Sequence, residues 1–158
     1  MIFFTSDHHW GWLSHYPRPF QSDHEMDETL IANWNAVVRP GDTVFHLGDI
    51  ARTQADLNRV LPRLNGKIIL IRGNHDRADI HDYSGFHAVH DEPHVIHVNG
   101  TSLSLSHDPE ACVPGMFCVH GHVHRKWRGI PNHVNVSVEA WNYEPVPASE
   151  ILRHASFY

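Results

Sequence analysis

The sequence predicts a single-domain α/β fold in which one sheet is layered against further strands. Three observations lead there. Apolar strand-like and helix-like segments alternate through the first half of the chain. The second half is mostly strand-like, with a hairpin signal at Asn99-Gly100. The length, 158 residues, suits one domain able to bury a core, so residues 1–158 are expected to form one unit. An alternating half followed by a strand-rich half is what layered α/β architecture requires.

The elements follow in order. Ile2 to Thr5 reads as a short buried strand that opens onto Ser6-Asp7-His8-His9, followed by a loop rich in Trp, Pro and His as far as Phe20. Ser22-Asp23-His24-Glu25 fits a capping box, in which the Ser hydroxyl and the Glu carboxylate satisfy free N–H groups of a helix start. Met26, Leu30, Ile31, Trp34, Val37 and Val38 then recur at helical spacing, and Arg39-Pro40-Gly41-Asp42 stops that helix. Thr43 to Leu47 is a second strand, ending in Gly48-Asp49. A short helix starts near Thr53 and carries Leu57, Val60, Leu61 and Leu64. Asn65-Gly66 turns the chain into a third strand, Lys67 to Ile71, which ends in Gly73-Asn74-His75-Asp76. Later, His94 to Val98 and Thr101 to Ser106 flank Asn99-Gly100, and His107 follows directly. Phe117 to Val119 runs into His120-Gly121-His122-Val123-His124, and Val134, Val136 and Val138 alternate as a strand would.

Composition narrows the function. Seventeen His exceed the twelve Lys plus Arg, and imidazole is the commonest neutral metal ligand. A formal net charge of −6 gives no broad basic footprint and argues against long nucleic acid as a partner. Met1 to Phe4 is too short for a signal peptide or a membrane span, so a cytoplasmic protein is the expectation. Cys112 and Cys118 make no disulfide framework and read as free thiols in a reducing compartment.

The chemistry gathers after the strands. Asp7-x-His9, Gly48-Asp49, Gly73-Asn74-His75-Asp76, His107 and Gly121-His122-Val123-His124 each follow an expected strand. In open α/β sheets, ligands bind beyond the carboxyl ends of the strands, so these residues can converge on one site. Mixed imidazole and oxygen donors suit Mn, Fe, Zn, Ni or Co better than Ca or a thiolate-bound metal. Alone, each piece also fits a plain structural role, because Gly-Asp often marks a turn and a His pair often lies on the surface. The ordered combination is what carries the reading.

In that order the blocks resemble those of the calcineurin-like metallophosphoesterases. Arg18-Pro19-Phe20, Met26-Asp27-Glu28, Val44-Phe45-His46-Leu47-Gly48-Asp49 and Val138-Glu139-Ala140-Trp141-Asn142-Tyr143 further resemble its small single-domain bacterial and phage branch. The resemblance implies a four-layer α-β-β-α sandwich with two divalent transition-metal ions, Mn first and Fe, Zn, Ni or Co as alternatives. It implies that Asp7, His9, Asp49 and His124 hold one metal and that Asp49, Asn74, His107 and His122 hold the other, with Asp49 bridging. A metal-activated water would be the nucleophile. His75 would stabilise developing charge or protonate the leaving oxygen. Asp76 would either orient His75 or cap the next turn.

Other residues stand further out. His8 and His15 could line the substrate mouth, and Arg52 could meet a phosphate oxygen or a surface carboxylate. His46 and His120 read as packed histidines near the ligands. His81, His87, His90, His94, His97, His133 and His154 lack motif context and read as structural or surface. Similar sequences usually carry a histidine in a Gly-His pair soon after Asp-x-His. Here Trp12 follows Gly11, which changes the substrate-side wall and leaves the ligands in place. The implied activity is hydrolysis of a small phosphate ester. A phosphodiester such as a cyclic nucleotide or nucleotide-derived ester is the leading expectation, and a phosphomonoester is the close alternative. A non-catalytic metal-binding or scaffold protein on the same fold is the alternative from another class.

Overall fold

The computed structural model describes residues 1–76 and 82–157, so His81 lies outside the described residues. The fold is a single-domain α/β arrangement of two five-stranded mixed sheets with few helices. In the first sheet, β1 (Ile2–Thr5), β2 (Thr43–His46), β3 (Lys67–Ile71) and β4 (Ala88–His90) run parallel in that order. The short β10 (Val146–Pro147) pairs antiparallel with β1. In the second sheet, β5 (His94–Val98) and β6 (Thr101–Ser106) form the hairpin, whose turn residues Asn99 and Gly100 both have positive φ. Next, β7 (Phe117–His120) and β9 (His133–Asn135) continue parallel to β6, and β8 (Gly129–Ile130) pairs antiparallel with β9.

Alternation along the first sheet makes two cores. Phe3, Val44, Ile68 and Leu70 face α1 (Asp23–Val37) and α2 (Gln54–Val60), where Leu30, Trp34, Leu57 and Val60 are buried. Phe4, Phe45 and Ile71 point the other way, into an inter-sheet core with Leu103, Leu105, Val119 and Val134. Period-two side chains on a strand buried on both faces give this division. The third helix, α3 (Ala148–Ala155), adds Ile151 to the inter-sheet core. The outer face of the second sheet carries the buried Ser104, Ser106, Cys118 and Asn135 and is covered by the segment after β6. There Val113 N–H donates to Ser104 Oγ at 2.9 Å, and Ser106 Oγ donates to the Asp108 carbonyl at 2.6 Å.

Local signals set the helix starts. Ser22 caps α1 by accepting from Glu25 N–H at 3.1 Å, while the Glu25 carboxylate accepts from Gln21 N–H at 2.5 Å. Thr53 caps α2 by accepting from Asp56 N–H at 3.2 Å. The helix ends earlier than its apolar spacing suggests. Leu61–Arg63 is a 3-10 turn containing Pro62, which has no N–H to continue an α-helix.

Two expectations need correction. Val134, Val136 and Val138 are all buried, but only Val134 is in a strand. Val136 N–H donates to the His120 carbonyl at 2.7 Å, and Val138 N–H donates to the Ser6 carbonyl at 3.1 Å. The chain is leaving one sheet and tying itself to the other, so strand-like alternation persists without a strand. The cysteines are not free either: Cys112 and Cys118 form a disulfide. The segment covering β6 folds back over the outer face where Cys118 lies, which brings the two α-carbons to 5.8 Å, within disulfide range. Among the described residues, no helix is long and apolar enough to cross a membrane.

Candidate metal centre

Five expected ligands sit just past strand ends with left-handed backbone: Asp7 at φ 59°, His9 at 49°, Asp49 at 56°, His122 at 71° and His124 at 51°. A non-glycine residue held so costs on the order of 1–3 kcal/mol, and such residues cluster at functional sites. Backbone bonds between strand ends hold the kinks. Asp7 N–H donates to the Gly48 carbonyl at 3.0 Å, and His9 N–H to the Asp49 carbonyl at 3.1 Å. Two glycines permit the close approach. A Cβ on Gly48 would lie 2.6 Å from Gly73 N, and one on Gly121 would lie 2.4 Å from Ser6 Oγ.

Asp7 is divided between two tasks. Its Oδ2 accepts from Ser6 Oγ at 2.6 Å, Ser137 Oγ at 2.8 Å and His122 N–H at 3.0 Å. Its Oδ1 is buried with no hydrogen-bond partner and lies 3.8 Å from His9 Nε2 and 4.0 Å from His124 Nε2. Burial pushes the Asp7 carboxyl up, but His107, His124 and the two hydroxyls outweigh it and hold it below the usual range. His9 Nε2 is likewise buried without a partner. Burial takes the His9 pKa down to about 2 despite the opposing pull of Asp49, so the ring is neutral with a lone pair to offer.

Asp49 is the hub. Its Oδ2 lies 3.3 Å from His107 Nε2, 3.6 Å from His9 Nε2 and 3.9 Å from His75 Nε2, and its Oδ1 accepts from His75 N–H at 2.9 Å. His107 shares a 2.8 Å hydrogen bond with the Leu47 carbonyl through Nδ1, which a carbonyl can only accept, so Nε2 faces the site. His122 Nδ1 lies 3.1 Å from His107 Nε2. Asn74 is exposed in the turn after β3, beside His75.

Asp7, His9 and Asp49 form one group that could hold a metal ion, and His9, His15 and His124 form a second. Unpartnered buried Oδ1 and Nε2 atoms among imidazoles and carboxylates fit a divalent transition metal, because unpaired buried polar atoms are costly on their own.

The outer residues divide. The ring of His15 lies 4.2 Å from that of His9 and 4.7 Å from that of His75, on the site. Trp12 stands beside it at 4.3 Å and meets His75 edge-on at 5.3 Å. Arg52 lies over the Trp12 ring at 5.8 Å. His8, expected at the mouth, is instead fully buried: it stacks on Trp10 at 4.2 Å and shares a 2.9 Å hydrogen bond with His46. Its contacts with Trp10 and His46 hold it in the helix-side core, while Asp7 and His9, on left-handed backbone to either side, turn to the site. Asp76 does not reach for His75. Its oxygens accept from the N–H groups of Asp49 at 2.6 Å, Gly73 at 2.8 Å and Ile50 at 3.0 Å, so it ties together the loops after β2 and β3. Burial and the Asp49 charge raise its pKa to about 6 against those three bonds.

Arg18, Glu139, Tyr16 and Ser137, to which no sequence motif assigns a role, all touch the expected ligands or their backbone. Arg18 and Glu139 did lie in blocks that carried the resemblance.

A family model for calcineurin-like phosphoesterases matches residues 1–158. The uncharacterized protein MJ1445 of Methanocaldococcus jannaschii is 34% identical over 174 aligned positions, spanning 96% of this chain and 89% of that protein. Among solved structures, the protein of unknown function AQ665 from Aquifex aeolicus matches with a TM-score of 0.77 and 27% identity, over 97% of this chain and 98% of that one. An archaeal phosphodiesterase matches with a TM-score of 0.52 and 16% identity, over 86% and 81% of the two chains, which is a likeness of fold.

Proposed function

The chain belongs to the calcineurin-like phosphoesterase family, and on that premise we propose that it hydrolyses a small phosphodiester with two divalent metal ions, Mn first. The observation that supports this most is a pair of buried atoms without hydrogen-bond partners, Asp7 Oδ1 and His9 Nε2, 3.8 Å apart, with His9 Nε2 also 3.6 Å from Asp49 Oδ2. Following the family resemblance, Asp7, His9, Asp49 and His124 would hold one ion, and Asp49, Asn74, His107 and His122 would hold the other. When bound, the ions polarise a phosphoryl oxygen and lower the pKa of a water nucleophile.

The chain's own residues do the rest. A water oxygen bonds to phosphorus and releases one proton to solvent, the bond from phosphorus to the leaving oxygen breaks, and His75 regains from solvent the proton it donates. His75, partly exposed and 3.9 Å from Asp49, gives its proton to the leaving oxygen. His15 and Trp12 form the substrate-side wall beside His75. Asp76 keeps the Asp49 and Asn74 loops in register.

One observation favours a second reading, phosphomonoester hydrolysis. The Arg52 guanidinium, held over Trp12 near His75, makes no ion pair among the described residues, and a dianionic substrate gains from such a cation. Rates on paired aryl mono- and diesters, with Mn loaded and counted per chain, test both readings. A clear monoester preference overturns the diester reading, and one metal per chain under saturating Mn overturns the two-metal site.

A further inference from the structure

Behind His124 lies a buried ion pair that the reaction as described does not use. The side chains of Arg18 and Glu139 are 1% and 2% exposed, with Arg18 Nη2 2.7 Å from Glu139 Oε1. The same oxygen accepts from Arg18 Nε at 2.8 Å and lies 3.0 Å from His124 Nδ1. A carboxylate oxygen can only accept, so Nδ1 must carry the ring proton. The lone pair of His124 is then on Nε2, the atom that faces Asp7 Oδ1.

Arg18 also acts on the other side. Its Nη1 donates to the His8 carbonyl at 2.6 Å, and its Nη2 donates to the Asp7 carbonyl. Those carbonyls lie in the segment kinked by the left-handed Asp7 and His9. One planar guanidinium therefore touches the backbone that presents Asp7 and His9 and, through Glu139, the ring of His124. Tyr16 stacks on that ring at 3.9 Å and 6°, which fixes the plane in which Nε2 points.

We propose that Arg18 and Glu139 are positioning residues for metal binding: Glu139 sets the tautomer and aim of His124, and Arg18 couples that aim to the Asp7–His9 segment. This rests on the reading of Asp7, His9 and His124 as ligands. Partners that orient a ligating histidine typically contribute about 10–100-fold in metal affinity or activity.

The test uses the full chain with Mn²⁺ as the probe. Wild type, Glu139→Ala, Glu139→Asp and Arg18→Lys are compared by calorimetric titration of Mn²⁺, by melting of the chelated protein, and by kcat and KM at saturating Mn²⁺. Glu139→Ala should weaken Mn²⁺ binding by about 10–100-fold with KM unchanged once metal saturates. Glu139→Asp keeps a carboxylate and should recover part of that loss. Arg18→Lys keeps the charge but loses the fork, and should weaken binding too. Equal Mn²⁺ affinity in wild type and Glu139→Ala overturns the proposal. So does an equal loss in Ala and Asp variants that follows the melting temperature, since that marks a purely structural pair. A wild type that binds no Mn²⁺ overturns it together with the proposed function. A wild type that binds Mn²⁺ yet cleaves no ester removes the hydrolytic reading alone, and the affinity comparison still decides the positioning role.

Discussion

His107 Nε2 lies 3.3 Å from Asp49 Oδ2, and that approach makes the imidazole the counter-charge of the carboxylate. Burial alone lowers the His107 pKa, but the bond to Asp49 and the charges of Asp7 and Asp49 outweigh it and raise it to about 10. The metal-free chain therefore carries a proton at neutral pH on an atom expected to bind metal.

Metal uptake should release that proton. Below a pKa of about 10, each unit of pH should raise metal affinity by about tenfold, because one proton competes with the ion. Mn²⁺ titrations between pH 6 and 8, in buffers of different ionisation enthalpy, measure both affinity and protons released. Affinity independent of pH, with no proton release, would reject the assignment of His107 as a ligand.

The second prediction compares carboxylates. Asp49 Oδ2 lies within 4 Å of three imidazole nitrogens, whereas Asp7 spends Oδ2 on Ser6, Ser137 and His122 N–H and presents only Oδ1. Asp49→Asn should lower kcat at saturating metal by about tenfold more than Asp7→Asn, a difference of about 1.4 kcal/mol in barrier. Equal losses would show that Asp49 is not shared between two ions.

The third concerns acid stability. His8 and His46 are buried together, and burial first, then neighbouring positive charge, holds His8 well below its ordinary pKa. Burial takes His46 down to about 3 against the pull of Asp7 and Asp49. In the unfolded chain both rings take up protons near pH 6.5. The unfolded state thus binds more protons below that pH, and stability is full above it and falls as the pH drops. Each ring adds a slope of about 1.4 kcal/mol per pH unit. Denaturant unfolding of chelated protein from pH 7.5 to 5 should show the decline, and His8→Phe, which keeps a ring on Trp10, should make it shallower by about one proton. An unchanged slope would mean that His8 folds protonated.

Much of this was legible in the sequence because strand ends advertise themselves. Asp7-x-His9, Gly48-Asp49 and Gly121-His122-x-His124 follow short apolar runs, and the parallel register of β1, β2 and β3 brings the first of them beside one another. The hairpin at Asn99-Gly100 was legible for the same local reason. What escaped depended on contacts far apart in the chain. Nothing around Arg18 signals that it meets Glu139, 121 positions later, or that Ser137 meets Asp7, 130 positions earlier. His8 resembles its neighbours in sequence, and only its packing on Trp10 and His46 shows that it turns inward. The strand after Val134 failed because a crossing between sheets can bury Val136 and Val138 as well as a strand can.

The last prediction separates chemistry from binding at His75. Its backbone N–H is fixed to Asp49 Oδ1 at 2.9 Å, while its ring is one-third exposed and packs edge-on against Trp12 and His15. The loop is therefore held by the main chain and by Asp76, not by the imidazole. Substituting His75→Ala should leave metal content intact. If His75 protonates the leaving oxygen, its removal should cost about 10²–10⁴-fold on an alkyl or nucleoside ester, whose alkoxide needs the proton. The loss should be much smaller on a nitrophenyl ester, whose leaving group departs as the anion. Metal content and both rates, measured on one preparation, decide between the possibilities. Full metal with equal losses on the two esters would assign His75 to stabilising charge on the phosphoryl group instead. Loss of metal with equal slowing would show that the ring shapes the loop after all, against the hydrogen bonding described above.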